Sequence, residues 1–339
     1  MNREGKRLLV IDGNSLIHRA FYALPLLSTK DGIYINGVYG FLTMLYRIEE
    51  EYEYDYISVA FDKKGPTFRH EAFDLYKAHR SPTPNELSLQ FPILKEILYV
   101  LNINQIEMDR YEADDIAGTL AKIGEEEGME VTLVTGDRDY LQLASDKTTV
   151  LITRKGITQL EKYDKNRIIE EYGITPEQFI DLKGLMGDQS DNIPGVPGIG
   201  EKTGIKLLKE FGTMENLYEN IDNVSGKKTK ESLIENKSTA FLSKKLGEII
   251  TSVPLDCSLY DLKVEEPDWE RLEEIYTKLE FNSLLSKIPE NKLSDEESIN
   301  YQIKYKTIKN NDYNSIIEEI ENEKSFGFKF LFENKNYIK

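Results

Sequence analysis

LLVID, residues 8–12, is a run of four apolar side chains that stops on a carboxylate. Three further apolar runs follow, ISVAFD at 57–62 and EVTLVTGD at 130–137, which also close on a carboxylate, and TVLITR at 149–154, which does not. Short, continuous, β-branched runs of this kind predict strands buried on both faces. Helix-patterned segments lie between them, including GVYGFLTMLYRIEEEY at 37–52 and FPILKEILYVLN at 91–102. Strands alternating with helices predict an α/β domain built on a mostly parallel central sheet, over residues 1–174. From Thr175 the pattern changes to short helices without strands, in PEQFIDLKGLM, GEKTGIKLLKEF, TMENLYEN, KKTKESLIEN and STAFLSKKLGEII. A helical subdomain is therefore expected over 175–289. DWERLEEIYTKLEF, at 268–281, is expected to pack as a helix back on the sheet.

The 339 residues are enough for two domains, with 40% hydrophobic and 30% charged residues. No stretch approaches the roughly 20 apolar residues of a membrane helix. MNREGKRLLVIDG passes directly into a strand, which does not read as a signal peptide. Cys257 is the single cysteine, so no internal disulfide can form, and a cytoplasmic setting is expected. Three histidines and one cysteine argue against a zinc site. The net charge of -17 argues against a surface that is basic throughout. A nuclease can still be acidic overall if its carboxylates gather around metals and its lysines gather elsewhere.

Asp12 ends one strand and Asp62 another, and Asp137 and Asp139 follow a third. In an open parallel sheet, ligands bind in the crevice outside the carboxyl ends of the strands. Aspartate is also a common turn and cap residue, so each alone is ambiguous. Three strands delivering carboxylates to one edge are less so. YEADDIAGTLA adds Glu112, Asp114 and Asp115 at a helix start, where acids also complement the dipole. GDQSDN adds Asp188 and Asp191, which share a face if the segment is helical or turn-like. Nine convergent carboxylates raise one another's pKa values and stay ionised together only with cations among them. Oxygen-only donors favour Mg²⁺, with Mn²⁺ able to substitute. Two such ions about 4 Å apart can activate water and stabilise both oxygens of a phosphodiester displacement.

GVPGIGEKTGIKLL, at 195–208, places Gly195, Gly198 and Gly200 in a tight turn before a helix starting near Glu201. Glycines let backbone approach phosphate, and helix-start N–H groups point at anions. Lys202 and Lys206 share a helical face. A plain Gly/Pro turn is the simpler alternative. Residues 226–246 hold six lysines against two glutamates, extending a track for a duplex backbone. Residues 63–85 carry Lys63, Lys64, Arg69, Lys77 and Arg80 interleaved with Phe68, Phe73 and Tyr76, a mixture that suits single strands, although taken alone the stretch reads as an exposed loop rather than a site. Lys77 and Arg80, three apart, share a face if helical.

Together these motifs resemble the 5′ nuclease domain of the bacterial DNA polymerase I type, in the flap endonuclease superfamily with its PIN-like fold. VIDGNSLIHRAFYA, VAFDKKGPTFRHE with YKAHR, YEADDIAGTLA, VTGDRDYLQL and GDQSDNIPGVPGIGEKTG carry the resemblance, over about 1–289. It implies that all nine acids are metal-site and catalytic positions. Asp12, Asp62, Glu112, Asp114 and Asp115 would serve mainly one Mg²⁺, and Asp137, Asp139, Asp188 and Asp191 a second. Lys77 and Arg80 would be catalytic residues of a helical gateway over about 63–90. The glycine turn would be a helix-three-turn-helix gripping duplex, with K⁺ as a possible ligand. The implied DNA contacts are Arg19, Arg69, Tyr76, Lys77, Arg80, Gly195, Gly198, Gly200, Lys202, Thr203 and Lys206. The implied substrates are DNA with 5′ flaps, nicks or RNA primers, cut by a monomer with a polymerase in cis or in trans.

PENKLSDEESIN, at 289–300, reads as a linker. Residues 290–339 resemble the start of a 3′-5′ exonuclease-like domain, with Lys329 and Leu331 where Asp-x-Glu would be needed, implying a vestigial one. No polymerase domain follows, so the chain reads as a polymerase fragment or a stand-alone exonuclease with a tail, without polymerase activity. A DNA-junction binder without catalysis is opposed by the intact acid set. A toxin-like α/β RNase is opposed by the glycine and lysine stretch from Gly195 to Lys209.

Overall fold

The four apolar runs become β1 (Arg7–Asp12), β2 (Tyr56–Ala60), β4 (Glu130–Thr135) and β5 (Thr148–Thr153). Two strands without such a pattern complete the sheet, β3 (Asn104–Ile106) and β6 (Leu160–Tyr163). The first has three residues, too few for any periodicity, and the second carries two charges in four residues. The structure is a computed structural model describing residues 5–154, 156, 159–289 and 292. Residues 1–293 form one compact unit and 294–339 are assigned to a second. The expectations for Lys329 and Leu331 fall outside the described residues.

Among the described residues the strand order is β3-β2-β1-β4-β5-β6, parallel except for β6, which pairs antiparallel with β5 at the edge. Charges on such an edge discourage pairing with other chains. From β1 the chain moves to β2 on one side and later returns to β4 on the other. A crevice opens at that switch, outside the carboxyl ends of β1 and β4. Register sets Asp12 beside Ala60 and Ile11 beside Val134, so β1, β2 and β4 end nearly level.

Alternation along β1 divides the core. Leu9 and Ile11 face a layer made by α1 (Gly13–Ala23), α2 (Asn36–Glu51) and, after the short α3 (Phe68–Ala72) and α4 (Asn85–Ser88), α5 (Gln90–Val100). Leu8 and Val10 face the opposite layer, where α6 (Ala113–Glu126) lies. After α7 (Lys165–Tyr172) come α8 (Gln178–Met186), α9 (Glu201–Phe211), α10 (Met214–Glu219), α11 (Lys227–Glu235) and α12 (Lys237–Gly247). Leu185, Leu208, Leu217 and Leu233 give this helical part a core of its own. Then α13 (Trp269–Lys278) returns to the first layer, and α14 (Asn282–Leu285) follows. Leu272 and Tyr276 are fully buried there, each contributing about 1.5–3 kcal/mol by removal from water. Among the described residues no helix is long and apolar enough to cross a membrane.

The segment from 63 to 90 is less helical than the resemblance implies. Between α3 and α4 it runs through turns, and Lys77 has φ 54°. Lys77 and Arg80 therefore reach their partners from a turn and not from one face of a helix.

Candidate active site

Strand ends and one helix start build the site. Asp12 is the last residue of β1 and the N-cap of α1, accepting from Ser15 N (2.9 Å) and from Thr135 Oγ1 (2.9 Å). Asp62 lies two residues past β2 and accepts from Ala113 N (2.8 Å), while its own N–H donates to Asn14 Oδ1 (3.0 Å). Glu112 caps α6, and Asp114 stands in its first turn. Asp137 follows β4 and accepts from Asp139 N (2.9 Å). Asp12, Asp62, Glu112, Asp114 and Asp137 line one cavity of about 280 Å³, with Asn14, His18, Lys77, Arg80 and Tyr140 among its other walls.

Two classes of carboxylate share this space. Asp12 is 7% exposed, and burial pushes its pKa up to about 7, with the Asp62 and Asp137 charges adding to the effect of burial and the Ser15 and Thr135 bonds opposing it. Burial likewise raises Asp114 well above the ordinary carboxylate range, against the pull of Arg69. Desolvation raises Asp62 too, although its side chain reaches solvent at the rim. Glu112 goes the other way. Burial alone would raise it, but Lys77 and Arg69 hold it below its ordinary value. Lys77 Nζ lies 2.7 Å from Glu112 Oε2 and 3.7 Å from Asp191 Oδ2. Arg80 pairs with Asp191 as well.

Lys183, on α8, bridges the other two acids. Its Nζ is 2.7 Å from Asp139 Oδ1 and also pairs with Asp188. Burial and the Asp137 charge raise Asp139 to about 7 despite Lys183. For Asp188, Lys183 and the Ser190 hydroxyl outweigh burial and lower the pKa. Sequence reasoning missed Lys183. Its signal was a lone cation in the last turn of a helix that leads straight into an acidic loop.

Asp115 does not line the cavity. It is 0% exposed and meets Arg69 in a two-pronged pair, Nη1 to Oδ2 at 2.7 Å and Nη2 to Oδ1 at 2.8 Å. It also accepts from Glu112 N (3.1 Å) and Ile250 N (2.8 Å). Arg69, 1% exposed, donates onward to the carbonyls of Leu246 (3.0 Å) and Glu248 (2.7 Å). This pair ties α3, α6 and the segment after α12 together. Arg69 is therefore corrected from a DNA contact to a buried tie. Tyr76 is corrected too: its ring is 2% exposed against Ile193 and Leu246, and its hydroxyl lies 3.0 Å from Glu112 and 3.2 Å from Asp191.

The glycine turn divides in the same manner. Gly195 has φ 62°, is buried, and donates to Ser243 Oγ (2.9 Å); a Cβ there would run into the Gly187 backbone. It serves close packing of α8 against α12 and not phosphate contact, which corrects the expectation. Gly198 and Gly200 are exposed, with open space where a Cβ would be. Lys202 and Lys206 are exposed on α9, Thr203 is half-buried, and neither lysine has an ion-pair partner among the described residues. Arg19 is half-buried on α1, with Nε 3.3 Å from the Gly156 carbonyl.

Among the described residues, no three His, Cys, Asp or Glu side chains are already drawn together tightly enough to cage an ion. The donors nevertheless suit a hard divalent cation. They are carboxylate oxygens around one cavity, with Asp12 buried and Asp114 half-buried where ionisation is disfavoured. Glu112 and Asp191 are paired with Lys77 or Arg80, and Asp139 and Asp188 with Lys183.

Acids at the switch point of a parallel sheet, with cations opposite and a glycine turn on a helical unit, define a carboxylate-centred nuclease. The chain belongs to the 5′-3′ exonuclease family: residues 7–173 match its N-terminal resolvase-like domain and 174–270 its C-terminal SAM fold. It is 51% identical over 294 residues to DNA polymerase I of Bacillus subtilis, covering 87% of this chain and 33% of that one. It is 52% identical over 292 residues to DNA polymerase I of Bacillus caldotenax, covering 86% and 33%. The chain thus spans about a third of the length of these relatives. Among solved structures, bacteriophage T5 5′-exonuclease with bound zinc matches with TM-score 0.60 at 22% identity, over 84% of this chain and 99% of that one. A T5 flap endonuclease in complex with DNA and metal ions matches with TM-score 0.59 at 26% identity, over 73% and 90%.

Proposed function

We propose that this chain is a structure-specific 5′-3′ exonuclease and flap endonuclease that hydrolyses phosphodiester bonds at 5′ flaps, nicks and RNA primers, using two Mg²⁺ ions. The observation that carries the reading is one cavity at the strand ends lined by five carboxylates, with Lys77 and Arg80 in its wall. Asp12, Asp62, Glu112, Asp114 and Asp137 would hold the first ion, and Asp139, Asp188 and Asp191 the second. Such ions supply an activated water and neutralise charge on the entering and leaving oxygens. Lys77 and Arg80 place positive charge beside the reacting phosphate, where charge grows as the bond breaks. Asp115 holds Arg69 and, through its bond to Glu112 N, fixes the cap that aims Glu112 into the cavity.

Division of labour follows the two parts of the unit. Residues 1–174 carry most of the chemistry, joined by Asp188 and Asp191, and the rest of 175–289 holds duplex through Gly198, Gly200, Thr203, Lys202 and Lys206 at the start of α9, with K⁺ as a candidate ligand of the turn. The length of the curated relatives supports action beside a DNA polymerase, in cis or in trans, in the cytoplasm of a bacterium. Incubating the purified chain with 5′-labelled flapped, nicked and blunt duplexes in Mg²⁺ tests the reading. Release of short products from the flapped and nicked duplexes, in preference to the blunt one, is expected. Equal cutting of all three, or none, would count against it.

A further inference from the structure

Tyr140 is a wall residue of the cavity and a ligand of neither proposed ion. It stands in the 3₁₀ stretch Arg138–Leu143 that follows β4, and its side chain is 1% exposed. It lines the same cavity as Asp12, Asp114 and Asp137. Its hydroxyl makes no well-formed hydrogen bond among the described residues, and Asp12 is the carboxylate near enough to interact with it. Burying an unpaired hydroxyl is costly, and phenylalanine would fill the same space without that cost. The carboxylates around it can only accept when ionised, and the phenol can donate. Asp12 receives one bond on each oxygen, from Ser15 N and Thr135 Oγ1, and each oxygen keeps capacity for another.

We propose that Tyr140 is a positioning residue for the metal site, whose hydroxyl donates to the Asp12 carboxylate once a divalent ion sits in the cavity. This rests on the metal-dependent reading given under the proposed function. A hydrogen bond to an ionised carboxylate is about twice as strong as one between neutral groups, so the ion strengthens the bond it benefits from. With Ser15, Thr135 and Tyr140 all donating, three different elements fix the plane of one carboxylate. Partners behind a metal ligand typically change metal affinity about 10- to 100-fold when removed.

The test is Tyr140→Phe, titrated with Mn²⁺ alone while free Mn²⁺ is followed by electron paramagnetic resonance. Thermal melting of both proteins in EDTA runs beside it. The proposal expects Mn²⁺ affinity roughly 10-fold weaker in the variant, with its metal-free melting temperature equal to or above that of the unaltered protein. Equal Mn²⁺ affinity in the two proteins would overturn the proposal and leave the metal-dependent reading intact. A variant that melts lower in EDTA would also overturn it, since the hydroxyl would then have a partner in the metal-free fold. Failure of the unaltered protein to bind Mn²⁺ would overturn both.

Discussion

The acidic cavity and the glycine turn both meet phosphate in the proposed reaction, and they are built in opposite ways. The cavity runs from buried Asp12 and Glu112 to exposed Asp62 and Asp137, is crowded with interlocked charges, and is fixed by strand register: Asp12 alone holds bonds from two other elements. The turn is open, with exposed lysines that no described residue engages. A group that acts on a developing charge must be held in place beforehand, because its worth lies in not having to reorganise. A group that holds an extended polyanion gains from exposure and pays little entropy while it remains unpaired.

Substitutions should separate these roles. The largest effect is expected from Asp12→Asn, which keeps the shape and removes the charge: single-turnover cleavage should fall by about 10³-fold, with duplex binding nearly unchanged. Asp115→Asn should act through the fold, because breaking a buried pair leaves Arg69 uncompensated, at a cost of about 3–5 kcal/mol read by urea denaturation. An Asp115→Asn protein that stays fully stable yet binds no metal would return Asp115 to the set of ligands. Lys77→Ala should slow cleavage at saturating substrate by about 10²-fold while the dissociation constant moves far less. A collapse in binding at an unchanged rate would make Lys77 an ordinary phosphate contact. The smallest effect belongs to Lys202→Ala: weaker binding on any sequence, and a salt slope shallower by about one. A change in sequence preference at constant affinity would show that the turn reads bases.

Much of the fold is written in the sequence because burial on both faces demands continuous apolar strands, and β1, β2, β4 and β5 obey that demand. β3 and β6 do not, being short or at an edge, where tertiary pairing alone makes them strands. The acids at strand ends could be read because a parallel sheet sends its carboxyl ends to one edge. What could not be read is which way neighbouring side chains turn. Asp114 and Asp115 are adjacent in a helix, so one faces the cavity and the other faces Arg69 behind it. Tyr76 and Arg69 sit in a basic and aromatic stretch typical of an exposed loop, yet both are buried by contacts with residues more than a hundred positions away. Gly195 looks like its neighbours Gly198 and Gly200 and differs from them only in what packs against it.

The central claim is that chemistry resides in the carboxylate cavity and depends on divalent ions held there. Cleavage of a 5′-labelled flapped duplex, followed as Mg²⁺ is added stepwise to EDTA-treated protein, tests it most directly. No cleavage is expected in EDTA, and a rate that rises with Mg²⁺ to saturation, while duplex binding through the glycine turn is already present without the ion. Robust cutting in EDTA would contradict it.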